Sequence, residues 1–398
     1  MPLHVRMTPR DIAEEHRAST PLELFFDLTF VVAVAQASES LHHGLVGGHA
    51  RDALFAFPLV FFAIWWAWMN FTWFASAYDT DDVPYRIAVF VLMTGVLILA
   101  AGVPRAFVDT SFGIITLGYV VMRLAMVALW LRAAVQHPEG RRCALRYAIG
   151  IAVLQVGWVA RLALPDTAGL VAFFLLATLE LCVPLWAEQV GRTAWHPGHI
   201  AERYGLFTII VLGESVLSAT VGVQTAIDVD SRFSDLGLVV VGGLLTLFTM
   251  WWIYFDLPTE HLVERIRADF EEHFGAAFAW GYGHYFVFAS IAATGAGLVV
   301  AVDQLAGHSE LTDLQAAFAF TLPVSLYVLS VWLLHARYKA ATAVRSYAPP
   351  IAIALILLST FTSEPVLVTG IVMAFLVGLN VVAPSSRPAL RAEGPSPL

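Results

Sequence analysis

The apolar residues of this chain fall into about twelve runs of roughly 18 to 27 residues, divided by short polar punctuation. No other feature limits the fold as much. A hydrocarbon core of about 30 Å, crossed at about 1.5 Å per residue, takes roughly 20 residues of helix. Lipid offers no partner to backbone N–H and C=O groups, so each run must satisfy them within itself, as a helix does. The runs predict an all-α integral membrane protein of about twelve transmembrane helices. They lie at 22–43, 52–76, 85–104, 111–134, 144–164, 168–190, 203–223, 235–257, 275–301, 315–336, 344–362 and 365–383. Composition agrees: of 398 residues 59% are hydrophobic and 13% charged, where a soluble protein carries about a quarter charged.

Charge placement predicts the topology. Of the 22 Arg and Lys residues, Arg51, Arg105, Arg161 and Arg232 fall on one side of the expected spans and Arg123 lies inside span four. The remaining seventeen fall on the side of the termini. The positive-inside rule then places both termini in the cytoplasm, and only an even number of spans preserves this asymmetry. The net charge of −9 reflects acidic residues at helix ends, such as Asp79, Asp81 and Asp82, or Glu260, Glu264, Asp269, Glu271 and Glu272. No basic stripe faces a run of phosphates, which argues against nucleic acid as a partner. The first twenty residues lack an apolar core, so span one is expected to act as the insertion signal.

Spans 1–6 and 7–12 read as two copies of one unit. Asp27-Leu-Thr-Phe parallels Leu206-Phe-Thr-Ile, and Trp65-Trp66 in span two parallels Trp251-Trp252 in span eight. Arg146-Tyr-Ala parallels Arg345-Ser-Tyr-Ala, and each copy ends with a helix after a proline, Pro165 or Pro365. Six spans per copy give both copies the same orientation, related by an axis along the membrane normal. The expected organisation is a cytoplasmic segment 1–20, two parallel six-helix repeats at 21–192 and 193–383, and a disordered cytoplasmic tail at 384–398.

An ionisable group at hydrocarbon depth costs at least about 2.5–3.5 kcal/mol on insertion scales, so each needs a partner or an aqueous cavity. Five such residues are candidates for an ion or solute pathway: Asp27, Arg123, Glu180, Glu214 and His284. Glu214 lies eleven residues past Arg203, about 16 Å along a helix, with Ser218 one turn further on the same face. Arg123 stays charged and requires a carboxylate or anion; Glu180 in the same half and Glu214 in the other are the alternatives. Asp27 lies beyond the reach of helix capping. His284 is either a hydrogen-bonded packing residue or a titrating one.

Glu23, Asn70, Glu202 and Asp256 are secondary candidates. Thr20-Pro21-Leu22-Glu23 spells a capping box, which accounts for Glu23 without a further role. Asn70 and Asp256 occupy matching repeat positions. His42 with His43, and His196 with His199, read as residues of span ends or loops. The tryptophans read as packing or interfacial anchors before substrate-stacking groups. Two cysteines, Cys143 and Cys182, make neither a disulfide framework nor a metal pattern, and no cofactor motif or catalytic constellation is present. The chain is therefore not expected to be an enzyme.

Glu23-Leu-Phe-Phe-Asp-Leu-Thr-Phe-Val and Glu202-Arg-Tyr-Gly-Leu-Phe-Thr-Ile-Ile-Val-Leu-Gly-Glu214, with Tyr282-Gly-His284, resemble the motifs of the bacterial low temperature requirement A protein family, over about residues 18–383. The motif positions map onto Glu23, Phe26, Asp27, Glu202, Arg203, Gly205, Gly213, Glu214 and His284. The resemblance implies a multi-spanning protein of the bacterial cytoplasmic membrane and names no ligand. Its partners are expected to be the bilayer and a small solute or ion. Three function classes follow: a secondary transporter, proton-coupled through shielded carboxylates, leads; an ion channel and a lipid-binding or lipid-modifying membrane protein stand beside it.

Overall fold

The computed structural model describes residues 2–11, 14, 17–228, 233–256, 274–336 and 343–382. The expected tail at 384–398, the acidic group from Glu260 to Glu272 and Arg232 lie outside the described residues. Twelve helices are described: α1 (Pro21–Val46), α2 (Ala50–Tyr78), α3 (Val83–Val108), α4 (Gly113–Gln136), α5 (Arg141–Arg161), α6 (Asp166–Glu188), α7 (Pro197–Asp228), α8 (Phe233–Phe255), α9 (Phe274–Ala306), α10 (Asp313–Ala336), α11 (Ala343–Ser359) and α12 (Pro365–Val382). Eleven are long and apolar enough to cross a membrane, and α11, with 17 residues, falls just short. The chain is a multi-pass membrane protein. Every expected span meets a helix within a few residues of its ends except the seventh, which starts six residues early, at Pro197.

Local chemistry explains the helix starts. Thr20 and Glu23 close a reciprocal capping box ahead of α1, with Pro21 in the first turn. Asp82 caps α3 by accepting from the backbone N–H of Tyr85 at 3.0 Å. The lipid faces carry Leu, Val and Phe: Leu124, Val153, Val156 and Phe375 are each more than 60% exposed. Burying them inside the protein offers nothing in lipid, so the helices associate through small residues that let backbones touch. Such crossings recur. A Cβ added at Gly118 of α4 would come within 2.6 Å of the Gly95 carbonyl of α3. One added at Gly297 of α9 would collide with the Ala319 carbonyl of α10.

The first six and last six helices repeat much of their neighbour pattern. α1 with α3, α3 with α4, α4 with α5 and α5 with α6 pack closely, and so do α7 with α9, α9 with α10, α10 with α11 and α11 with α12. One pair departs. α8 and α12 touch backbone to backbone at Gly242 and Gly370, whereas α2 and α6 stand apart and meet through large side chains. The matching tryptophan pairs diverge too: Trp65 and Trp66 are buried, while Trp251 and Trp252 are about half exposed on the lipid face. α1 is the chief link between the two sets, packed on α2 and α3 behind and on α7 and α9 in front.

The close crossing gives a direct test. Gly297→Ala forces α9 from α10 and is expected to lower stability by about 1–3 kcal/mol, the usual cost of overpacking. Gly213→Ala, with nothing within 4 Å of the new methyl, should be neutral or slightly stabilising. Thermal unfolding of both variants in detergent measures the difference.

Candidate functional site

The five expected pathway residues do not meet in one cavity. They occupy four separate places along the bundle. The first is the interface between α1 and α7 on the side of the chain termini. Arg203, fully buried, donates from Nε to Asp27 Oδ2 at 2.8 Å and from Nη2 to Asp27 Oδ1 at 2.5 Å. Its Nη1 lies 3.2 Å from Glu23 Oε1. Trp68 of α2 donates to the same Asp27 carboxylate at 2.7 Å. Glu23 also accepts from His199 Nε2 at 3.2 Å and faces Arg17 at 3.6 Å, and Arg17 in turn donates to the Ser76 and Ala75 carbonyls that end α2. Two carboxylates meet two guanidinium groups, so the buried charge is balanced. Glu202 accepts from the Ser19 backbone at 3.2 Å and ties the same two segments at the rim.

The second place is the interior of the first six helices. Arg123 lies ten residues into α4 and Glu180 fourteen into α6, roughly 15 and 21 Å along their helices. Arg123 Nη2 donates to Glu180 Oε2 at 3.0 Å. Trp66 donates to the same oxygen at 2.9 Å and Trp158 to Oε1 at 3.2 Å. Asn70 Oδ1 lies 3.4 Å from Arg123 Nη1, and the guanidinium stands over the Tyr119 ring. A cavity of about 30 Å³ lies on one side of this layer, walled by Phe62, Trp66, Tyr119, Trp158 and Phe173 with Arg161 at its mouth. A second of about 20 Å³ lies on the other side, between Asn70, Trp73, Trp130, Tyr147 and Thr193. The Arg123 alternatives resolve: Glu180 is the partner, and Glu214 is not.

The third place is Glu214, again between α1 and α7 but deeper. Its Oε1 accepts from Ser218 at 2.6 Å, and its Oε2 lies 3.3 Å from Ser38 Oγ. Among the described residues no salt bridge reaches it. Ser38 Oγ also lies 3.2 Å from the Ala292 carbonyl, which only accepts. One hydroxyl hydrogen cannot serve both oxygens, and a proton on Glu214 Oε2 completes the set. The fourth place is His284, whose ring sits between the Trp280 carbonyl at 2.8 Å and the Tyr254 hydroxyl at 3.0 Å. Both ring nitrogens are satisfied and Trp280, Tyr204 and Phe288 pack on its faces. This is the geometry of a packing histidine. Of the secondary pair, Asn70 lies beside Arg123 and Asp256 follows the last residue of α8.

Apart from Arg17, all residues of the four places lie within residues 18–382, which match the family model described as bacterial low temperature requirement A protein (LtrA). The chain belongs to the LtrA family. It is also 29% identical over 304 residues to the uncharacterized protein RA0937 of Rhizobium meliloti (strain 1021), an alignment covering 74% of this chain and 72% of that protein. Within the LtrA motif Glu202–Glu214, sequence reasoning placed Arg203 at a span boundary and counted it among the topology charges; it lies two turns inside α7 and is fully buried. Pro197 at the first helical position is the signal that places it there. His196 and His199, read as residues of a span end or loop, stand just before and just inside the start of α7, and both are buried. Arg17 and Trp68, also missed, give no signal in sequence because their partners are remote.

Breaking the Arg203 cluster should be costly. Arg203→Met leaves Asp27 and Glu23 buried without their shared cation and is expected to destabilise by about 3–5 kcal/mol, with Asp27→Asn in the same variant recovering part of the loss. At the edge of the cluster, Asp79 follows α2 and is pushed up to about 6 by burial and by the Glu23 charge, against the pull of Arg17. An acid raised in the folded state binds its proton more tightly there than in the unfolded chain. Its contribution therefore favours folding at low pH and is lost as pH rises from 3.8 to about 6. Thermal melts between about pH 4 and 6 should show this slope, and Asp79→Asn should flatten it.

Proposed function

We propose that this LtrA protein is a secondary transporter that moves a small solute through the centre of its first six helices, with proton coupling at Glu214. The observation that carries this reading is the position of Arg123 and Glu180: a paired charge at mid-helix depth with a cavity on each side of it along the membrane axis. A structural ion pair in lipid is cheapest in a close-packed setting. This one sits where α2 and α6 have parted, while the corresponding α8 and α12 are closed on glycines.

Glu214 supports the coupling part of the proposal. Glu23, Asp27 and Glu180 each hold an arginine, so protonating them strands a cation. Glu214 has hydroxyl partners only, and gaining or losing a proton there leaves no arginine unpaired. It lies between the two sets of helices, where a relative movement alters its access to water. The excess of Arg and Lys on the terminal side supports cytoplasmic termini in a bacterial inner membrane. The repeated neighbour pairs support descent of the two sets from one six-helix unit.

Reconstitution into liposomes with a pH-sensitive dye inside tests the proposal on a panel of candidate solutes. The expected result is solute-dependent proton movement that falls at least tenfold in Glu214→Gln and in Glu180→Gln. Proton flux unchanged by Glu214→Gln ends the coupling role, and solute flux unchanged by Glu180→Gln and Arg123→Gln ends the pathway. Unitary currents in planar bilayers would replace the carrier by a channel.

A further inference from the structure

Arg161 ends α5 on the side away from the chain termini and stands at the mouth of the larger cavity beside the Arg123 layer. Its Nε donates to the Gly169 carbonyl at 2.7 Å. Its guanidinium carbon lies 4.9 Å from the centre of the Phe112 ring and 5.2 Å from that of Phe173. Among the described residues neither Nη has a hydrogen-bond partner and no carboxylate pairs with the charge. The buried arginines differ: Arg17, Arg123 and Arg203 each face a carboxylate. Aromatic faces draw a cation but give its N–H groups no acceptor in line, so the two Nη groups are left to a ligand or to water. A second donor lines the same cavity. Thr116 is 7% exposed within α4, and its hydroxyl has no partner among the described residues. Thr94, Thr178 and Thr208 instead donate to the carbonyl four residues back, a common bond for a helical threonine. The other polar groups of the wall are occupied: Trp66 and Trp158 donate to Glu180, and Tyr119 donates to the Ala63 carbonyl. Among the described residues no carboxylate lines this cavity.

We propose that this cavity binds a halide ion, held by Arg161 and Thr116. This names the solute class of the pathway proposed above, and it rests on that reading for passage though not for binding. Charge decides the sign of the ligand: a cation would meet an unpaired guanidinium, and a neutral solute would leave that charge unanswered. Size decides the rest. A space of about 30 Å³ takes one water or one small ion, and an organic acid has no room there. The aromatic walls keep bulk water away, which strengthens the pull of a guanidinium on an anion. Tyr119 is the link inward. It lines the cavity and lies under the Arg123 guanidinium, so an anion leaving Arg161 moves toward a second cation.

Chloride is the probe. Titrated into the full-length protein in detergent, with gluconate as the balancing anion, it should show saturable broadening of its NMR line. Arg161→Gln should weaken this binding at least about tenfold, the loss of a charge-assisted hydrogen bond. Arg161→Lys keeps the cation and should bind more tightly than Arg161→Gln. Thr116→Val leaves the contacts of Arg161 in place and should weaken binding several-fold, so it decides the matter even where Arg161→Gln does not fold. Broadening that never saturates overturns the proposal, as does binding unchanged in Thr116→Val. Uptake of radiolabelled chloride into proteoliposomes under an inward proton gradient separates the failures. Saturable binding without uptake keeps the site and removes chloride from the pathway. Uptake lost in Glu180→Gln but unchanged in Arg161→Gln keeps the pathway and removes the site.

Discussion

A guanidinium that is always charged, held where no water reaches it, decides how the two sets of helices meet. Arg203 of α7 is fully buried, and the carboxylates that balance it belong to α1. Neither helix can leave the other without exposing a bare charge to lipid, a far larger cost than any single apolar contact. The same two helices meet again at Ser38 and Glu214, and at the opposite end of the bundle α1 is tied to α9 by His42 and Asp303 at 2.6 Å. α1 is therefore stitched along its whole length by polar contacts, as the inside of the first six helices is stitched at Arg123 and Glu180, while crossings such as α3 with α4 and α9 with α10 rest on glycine. This division suits a membrane interior. Apolar packing gives close fit without preference of partner, and hydrogen-bonded charge fixes which helix sits beside which.

The number and placing of the helices were legible in the sequence because the bilayer imposes one length on every crossing. α11 is the partial exception: its described helix has 17 residues with Pro349 and Pro350 inside it, within a run that reads as long enough. The depth argument also worked: Asp27, Arg123, Glu180 and Glu214 are all buried, as their positions in the runs implied. What could not be read was pairing. The cost of burying a charge says that a partner exists but not on which helix, so Arg123 had two candidate carboxylates and Asp27 had none. Hydropathy also drew the start of α7 too late, and that displaced Arg203 from the interior to the rim.

The two sets of six helices share a neighbour pattern and yet differ at the cavities on which the proposed pathway rests. In the second set, Gly242 and Gly370 bring α8 and α12 together. In the first, Trp66, Glu180 and Trp158 occupy the corresponding space and leave small cavities beside them. Under the proposed descent from one six-helix unit, one copy would have kept an interior that the other closed. The lipid-facing position of Trp251 and Trp252 against the buried Trp65 and Trp66 fits the same division.

The point at which α11 ends has a consequence for the membrane itself. The Thr321–Thr360 hydrogen bond pins the turn after α11 eight residues, about 12 Å, along α10 from its start. The flank formed by α11 and α12 is thus lower than the walls beside it. Lipids there must shorten or tilt to cover it, a hydrophobic mismatch paid in small amounts per ångström. The protein carries its own thin spot in the bilayer, and chain length and fluidity of the surrounding lipid act on it first at that flank.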